Sequence, residues 1–218
     1  MAKRLIIFGT GGLAEVAAFY FERDSDYEIV GFTATDPAGA EFRGKPLAAF
    51  ATLAATHPPG EHELFIAVGY SKLNQVRAGF FAAAKGMGYR CATYLSSRAT
   101  TWGDTAIGEN CFILEDNTLQ PFVTIGDDTV LWSGNHIGHH ATIGSHCFIT
   151  SHVVISGYCR VGDHSFIGVN ATITENVAIA ARNLIGPAAL VQKDTGPDEA
   201  YLAERTKKFP KDSSRFMG

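Results

Sequence analysis

The sequence predicts an α/β domain over residues 1–94, a parallel β-helix over residues 95–191 and a C-terminal tail over residues 192–218. Two observations lead to this fold class. The first part of the chain alternates strand-like and helix-like segments, the pattern of a small parallel α/β sheet. In the part of the chain after Leu95, aliphatic residues recur at every sixth position from Ile107 onward, which is the signature of a hexapeptide-repeat β-helix. The composition, 46% hydrophobic and 18% charged residues, is that of a globular protein.

The first element is a strand followed by a glycine turn and a helix. The apolar run LIIF forms the strand, and the glycines after it allow a tight turn whose N–H groups meet an anion at the start of the helix. Two interpretations remain open, a turn without a ligand and a half-size site for a nucleoside diphosphate. A full dinucleotide site is not expected, because Ala14 occupies the third glycine position of the G-x-G-x-x-G pattern. The candidate nucleotide-binding residues of this turn are Gly9, Thr10, Gly11, Gly12 and Leu13.

Two further loops of this domain carry candidate residues. The second strand, YEIVGFT, ends near Asp36, whose carboxylate is expected to meet a ribose or a base. A third strand, ELFIAVG, leads through Gly69, Tyr70 and Ser71 into a helix predicted over residues 72–85, with Ser71 as its N-cap. These residues complete the candidate nucleotide site, and the strand YRCATYL closes the domain.

The second part of the chain has a strict six-residue period. Aliphatic residues occupy fifteen consecutive sixth positions from Ile107 to Val191, and a small or medium residue stands four positions after each of them. Three hexads form one coil in hexapeptide-repeat proteins, so residues eighteen apart are expected to stack, with about 4.8 Å between coils. Cys111, Cys147 and Cys159 fall at the small inward position and are expected to be core residues.

Five of the eight histidines lie between Asn135 and His152. His146, His152 and His164 occupy the fourth position of a hexad, the turn, where polar residues need no chemical role. A zinc site is the alternative, since neutral imidazoles are good zinc ligands. However, no two of the six histidines from His136 to His164 are five residues apart, the spacing of a histidine pair in the hexapeptide-repeat carbonic anhydrases. No metal is therefore expected.

His139 differs from these histidines because it stands at the third position of its hexad, an outward corner. Gly157 follows it by eighteen residues and is expected one coil away. A general base next to an exposed backbone N–H suits acyl transfer: the base takes a proton from the attacking amine or hydroxyl, and the N–H stabilises the oxyanion. Histidine suits the first role because it titrates near neutral pH.

Charge and hydropathy exclude several classes of protein. The net charge of −4 and the isoelectric point near 6.0 provide no basic field, so nucleic acid is not an expected partner. No apolar run approaches the length of roughly 18 residues that a membrane span requires, and the first apolar run is too short for a signal peptide. We therefore expect a soluble cytoplasmic protein.

The combination of a nucleotide-binding α/β domain with hexads such as HIGHHATIG resembles the bacterial nucleotide-sugar N-acetyltransferases and the related sialic acid O-acetyltransferases, in which the second domain is a left-handed parallel β-helix. The resemblance implies that His139 is the catalytic base and that Gly157 donates its amide to the acyl carbonyl. It also implies a homotrimer with active sites between adjacent β-helices, and a nucleotide sugar bound at the glycine turn with help from Asp36. Acetyl-CoA would lie along the coils, with contacts to Gly157, Val169 and Pro187.

Three departures from the family pattern stand out. His140, a third catalytic candidate, occupies the position where the family usually has an acidic residue that orients the base. Leu13 occupies a position where the amino-sugar enzymes commonly carry a histidine that reaches the sugar. A long ending, AYLAERTKKFPKDSSRF, replaces the usual short one and is either a solvated tail or a contact for the phosphates of CoA. Its basic residues are Arg205, Lys207, Lys208 and Lys211.

The function predicted from the sequence is acetyl-CoA-dependent N-acetylation of an amino sugar carried on a nucleoside diphosphate, in surface polysaccharide synthesis such as that of lipopolysaccharide. One alternative is an O-acyltransferase that acts on a related sugar and uses His139 in the same way. The other alternative is a β-helix protein that is not catalytic or binds zinc.

Overall fold

The structure is a computed structural model that describes residues 3–208, 210 and 213–216. The N-terminal domain has a sheet in the order β3-β4-β2-β1-β5, in which β3 is antiparallel to β4 and the other pairs are parallel. Its strands are β1 (Lys3–Phe8), β2 (Tyr27–Ala34), β3 (Glu41–Phe42), β4 (Lys45–Ala49) and β5 (Glu63–Ile66). Its helices are α1 (Gly12–Arg23), α2 (Leu53–Thr56) and α3 (Gln75–Gly86), with a 3-10 turn at Phe50–Thr52.

Helix α3 begins later than predicted, at Gln75, and Ser71 is not its N-cap. Lys72, Leu73 and Asn74 instead have φ angles of 52°, 49° and 64° and form a left-handed turn. The reason is a tertiary contact, because the buried Asn74 side chain donates a hydrogen bond across the domain interface to the Ser165 carbonyl. Asparagine tolerates the left-handed conformation better than most residues, so this contact can hold the turn there.

The rest of the chain winds into three parallel sheets of two-residue strands, in the orders β19-β16-β13-β10-β7, β22-β20-β17-β14-β11-β8-β6 and β21-β18-β15-β12-β9. Each strand pairs with the one a full coil away, as in the register of Ile125 with Ile143, eighteen residues on. The predicted period and coil are therefore observed. The strands are β6 (Tyr94–Leu95), β7 (Ala106–Ile107), β8 (Phe112–Ile113), β9 (Thr118–Leu119), β10 (Thr124–Ile125), β11 (Val130–Leu131), β12 (His136–Ile137), β13 (Thr142–Ile143), β14 (Phe148–Ile149), β15 (Val154–Ile155), β16 (Arg160–Val161), β17 (Phe166–Ile167), β18 (Thr172–Ile173), β19 (Ala178–Ile179), β20 (Leu184–Ile185), β21 (Leu190–Val191) and β22 (Ala200–Tyr201). A second 3-10 turn lies at Ser213–Phe216.

The inside of the coils is lined by buried side chains and the corners are left-handed turns. The aliphatic residues of the hexads form one core cluster, and Cys111, Cys147 and Cys159 lie in it with no exposed surface, as predicted. At the fourth position of the hexads, the backbone has φ between 55° and 66° except at Gly134, where it is 79°. Asn, Asp and His dominate this position because their short polar side chains tolerate that conformation.

The α/β domain packs on one face of the β-helix. Aromatic residues join the two parts: the rings of Phe21 and Tyr94 are 5.5 Å apart, and those of Phe65 and Phe112 are 5.3 Å apart. A buried ion pair between Arg77 of α3 and Asp128 of the β-helix adds a charged contact with an Nε–Oδ1 distance of 2.9 Å.

Candidate active site

His139 lies on the turn between β12 and β13, directly over Gly157. A Cβ atom added to Gly157 would lie 2.9 Å from both Cε1 and Nε2 of the His139 ring, so the imidazole occupies the space where any other side chain would begin. The backbone fixes the same register, because the Tyr158 N–H donates to the His139 carbonyl at 2.9 Å. The His139 N–H donates to Oε1 of Gln120 at 2.9 Å. The structure thus brings together the two residues that the eighteen-residue spacing related.

The backbone N–H of Gly157 has no acceptor among the described residues, and the residue itself is buried under the His139 ring. At two equivalent corners the corresponding backbone N–H donates to a carboxylate one coil further on. The Glu109 N–H donates to Asp127 Oδ1 at 2.7 Å, and the Ser145 N–H donates to Asp163 Oδ1 at 2.8 Å. In the described part of the chain, the Gly157 N–H donates to no acceptor. A backbone donor that is left unpaired beside an imidazole is the arrangement that oxyanion stabilisation requires.

His140 is in contact with His139 and belongs to an aromatic column. The two Nδ1 atoms are 3.1 Å apart. The His140 ring is stacked on Tyr158, with 4.7 Å between centroids and 16° between planes, and its other neighbour is Phe122 at 4.6 Å. Neither Phe122 nor Gln120 was among the predicted site residues. Counting eighteen residues back from His140 as well as forward would have found Phe122.

The glycine turn follows β1 at the carboxyl edge of the sheet. Gly9 has φ of 122°, and a Cβ there would lie 3.0 Å from the Ala67 carbonyl oxygen, so this position needs glycine for conformation and for space. Gly11 and Gly12 face open space instead. Helix α1 has no side-chain cap at its first turn, which leaves N–H groups there for a ligand. Thr10 is exposed in the same turn and Leu13 is half-buried.

The other nucleotide candidates lie at the same edge of the sheet. Asp36 is exposed just beyond β2, and Gly69 lies just beyond β5, on either side of β1. The chain reverses its winding between β1 and β5, and ligands of open α/β sheets bind at such a point. Tyr70, by contrast, packs its ring on the β-helix, 5.0 Å from Phe148 and 4.9 Å from Phe166, so it lies at the domain junction. Ser71 is exposed at the start of the left-handed turn.

The acyl-CoA candidates do not all lie together in one chain. Gly157 is at the corner before β16, whereas Val169 and Pro187 are on the corner that follows β17 and β20. Val169 is exposed there, and Pro187 lies one coil above it with its backbone against Gly168. A single chain therefore presents these residues on two different edges of the coil.

His146 and His164 contact each other and a buried carboxylate within the β-helix. His146 Nδ1 is 2.8 Å from Oδ2 of the buried Asp128, and the His146 ring stacks on that of His164 at 4.7 Å. Burial, with a smaller contribution from His146, lowers the pKa of His164 from its ordinary value. Among the described residues, no three His, Cys, Asp or Glu side chains gather in a group that could hold a metal ion.

The tail beyond β22 offers exposed basic side chains. Arg205, Lys207 and Lys208 are exposed, and Lys211 lies outside the described residues. None of the helices in the described part of the chain has the length and apolarity to cross a bilayer.

Comparison with known proteins agrees with this architecture. Residues 4–83 match the PglD N-terminal domain family, and residues 122–157 match the bacterial transferase hexapeptide family of six repeats. No curated protein matches the chain in sequence at a significant level.

Several solved structures share the fold across nearly the whole chain. A mutant of perosamine N-acetyltransferase from Caulobacter crescentus, in complex with CoA and GDP-perosamine, has a TM-score of 0.83 and 22% identity and covers 91% of this chain and 93% of its own. The acetyltransferase domain of PglB from Neisseria gonorrhoeae FA1090 has a TM-score of 0.81 and 19% identity, with 92% and 97% covered. WeeI from Acinetobacter baumannii AYE has a TM-score of 0.67 and 18% identity, with 88% and 92% covered.

The fold and the two matched segments define the class: an α/β domain of PglD type joined to a left-handed parallel β-helix of hexapeptide repeats, which confirms the predicted fold class. The resemblance to the nucleotide-sugar acetyltransferases that was stated from the sequence is confirmed, since both segments match in sequence and a perosamine N-acetyltransferase shares the fold.

Proposed function

We propose that the protein is an acetyl-CoA-dependent N-acetyltransferase whose acceptor is an amino sugar linked to a nucleoside diphosphate. The observation that carries the proposal is the His139 imidazole lying across Gly157, beside a backbone N–H that no described residue accepts from. The family supports the acyl donor and the acceptor, because its solved members include an enzyme in complex with CoA and GDP-perosamine. We also propose that the reaction takes place in the cytoplasm, in a pathway to surface polysaccharide.

In the proposed reaction, the amino nitrogen of the sugar attacks the thioester carbonyl of acetyl-CoA. His139 takes the proton from this nitrogen as the new C–N bond forms. The Gly157 N–H stabilises the negative charge that develops on the carbonyl oxygen. The C–S bond then breaks, and the proton held by His139 goes to the departing sulfur, which gives an N-acetyl sugar and free CoA thiol.

The nucleotide would bind at the glycine turn. The uncapped start of α1 offers N–H groups and a positive dipole end to a diphosphate, and Gly11 and Gly12 leave room for its close approach. Asp36 and Gly69 flank the turn at the same sheet edge and would meet the ribose or base.

We propose a homotrimer in which each active site lies between two chains. The support is the separation of the candidates within one chain, where His139 and Gly157 lie on one corner of the coil and Val169 and Pro187 lie on another. A neighbouring copy that presents its second corner to the first corner would complete a channel for acyl-CoA, and a cyclic assembly repeats this contact.

The test measures free thiol released from acetyl-CoA with a panel of UDP-, GDP- and dTDP-linked amino sugars. Wild type is expected to turn over at least one acceptor, and His139→Ala to lower kcat by about 10²- to 10⁴-fold, the range for a lost general base. His152→Asn, at an exposed turn position, is the matched control and retains activity. The hydroxyl counterpart of each active sugar separates N- from O-acylation. Turnover that survives His139→Ala would overturn the proposed role of His139.

A further inference from the structure

The geometry points to His140 as the residue that orients His139, in a pair of imidazoles held by an aromatic column. This inference rests on the proposed function, since it assigns a positioning residue to the proposed base. His140 occupies the position where the family usually has an acidic residue, and the structure gives its side chain a direct contact with His139.

The contact couples the tautomer of His139 to that of His140. With the two Nδ1 atoms 3.1 Å apart, one must carry a hydrogen and the other must accept it. When His139 is the donor, its Nε2 atom keeps a lone pair, and Nε2 is one of the two ring atoms that lie over Gly157. When His140 is the donor, His139 carries its hydrogen on Nε2 and cannot act as a base there. The productive state is therefore His139 Nδ1–H donating to His140 Nδ1.

The aromatic column keeps the acceptor in place. His140 is held between Tyr158, at 4.7 Å and 16°, and Phe122, at 4.6 Å. The Tyr158 ring also meets His139 edge-on, at 5.0 Å and 89°, so it contacts both imidazoles. All three residues of the column are eighteen residues apart and have φ of 66°, 59° and 58°. Phe and Tyr adopt this conformation only at a cost in backbone strain, and at most other corners a polar residue takes the position.

A neutral acceptor differs from a carboxylate in one measurable respect. A carboxylate would orient His139 and also stabilise its protonated form, whereas neutral His140 only orients it. The titratable groups packed against His140 are His139 and Tyr158, and Asp104 accepts a hydrogen bond from the Phe122 N–H below them at 3.2 Å.

Two substitutions of His140 separate its role as hydrogen-bond acceptor from its role in the aromatic column, and a third tests the effect of a negative charge. His140→Asn puts an amide oxygen at the δ position and suits the left-handed conformation, so kcat is expected to stay within about 10-fold of wild type. His140→Phe keeps an aromatic ring in the column but has no acceptor, and kcat is expected to fall roughly 10- to 100-fold with KM for acetyl-CoA unchanged. His140→Asp is expected to move the acid limb of the kcat/KM profile to higher pH, because the carboxylate stabilises the protonated base.

His152→Asn, at a turn position with φ of 58°, is the control for the backbone change. Equal losses in His140→Asn and His140→Phe, or wild-type kcat in His140→Phe, would overturn the inference. A second readout does not depend on turnover: ¹⁵N chemical shifts of His139 should report the Nδ1–H tautomer in wild type and a shift toward the Nε2–H tautomer in His140→Phe. An unchanged tautomer overturns the pairing. If the tautomer changes as expected but wild type turns over no acceptor, the proposed reaction is contradicted and the pairing of the two imidazoles is not.

Discussion

Substituting Gly157 by alanine would test the central geometry with a single methyl group. The new Cβ would lie 2.9 Å from Cε1 and Nε2 of His139. Because the φ angle of residue 157 is outside the left-handed region, the backbone accepts alanine and the imidazole ring must move instead. Carbon contacts are optimal at roughly 3.5–4.0 Å, which requires the ring to move by about 0.6–1 Å. Misplacement of a reacting group by about 1 Å costs on the order of 10²-fold in rate. We expect kcat/KM to fall about 10- to 100-fold, or about 1.4–2.7 kcal/mol of transition-state stabilisation.

The assay is thiol release under the conditions used for wild type, with Gly79→Ala as the control for the same chemical change at a position with open space. Equilibrium unfolding supplies a second measurement, because crowding of the ring should destabilise the fold by roughly 1–3 kcal/mol. This cost should disappear when Gly157→Ala is made in the His139→Ala background, where the ring is absent. Wild-type activity in Gly157→Ala, or an unfolding cost that persists without the ring, would refute the reasoning.

Three further predictions concern stability. Arg77→Ala should lower the free energy of unfolding by about 3–5 kcal/mol in denaturant titrations, because Arg77 and Asp128 are 1% and 0% exposed and the buried carboxylate would lose the guanidinium and keep only its contacts with Asn110 and His146; a loss below about 1 kcal/mol would contradict this. Gly79→Ala should raise the free energy of unfolding by about 0.5–1 kcal/mol, since the glycine is exposed inside α3, and a decrease would show that the helix needs glycine there. Hydrogen bonds from Ser97 and from Tyr94 lower the pKa of Asp24 from 3.8 to about 2. The stabilising contribution of the Asp24 carboxylate is therefore present above pH 3.8 and is lost as pH falls toward 2. Asp24→Asn should flatten the acid limb of the stability curve in that window, by under about 2 kcal/mol after solvent screening.

The β-helix could be predicted almost completely because its repeat is local and periodic. Every inward position, including Cys147, follows from counting six, and the stacking of His139 over Gly157 follows from counting eighteen. Each coil repeats the backbone of the one before it, so a position in the sequence is also a position in space. The same arithmetic explains why the turn histidines are at left-handed corners.

The α/β domain was predicted less completely because its details depend on contacts across the interface. The start of α3 was wrong, since the side chain of Asn74 bonds to Ser165 of the β-helix and holds a left-handed turn there. Local propensity carries no information about a partner that is far away in the sequence, so it does not predict this turn. The pairing of Arg77 with Asp128 was not predicted for the same reason.

The sequence by itself determined the two-part fold, the register of the coils and the pair formed by His139 and Gly157, because all of these depend on short-range periodicity. Only the tertiary structure decided that His140 turns its Nδ1 atom toward that of His139 rather than toward solvent. A residue count gives the corner on which a side chain stands but not its rotamer. Here the rotamer depends on packing between Phe122 and Tyr158, and this packing exists only once the coils have stacked.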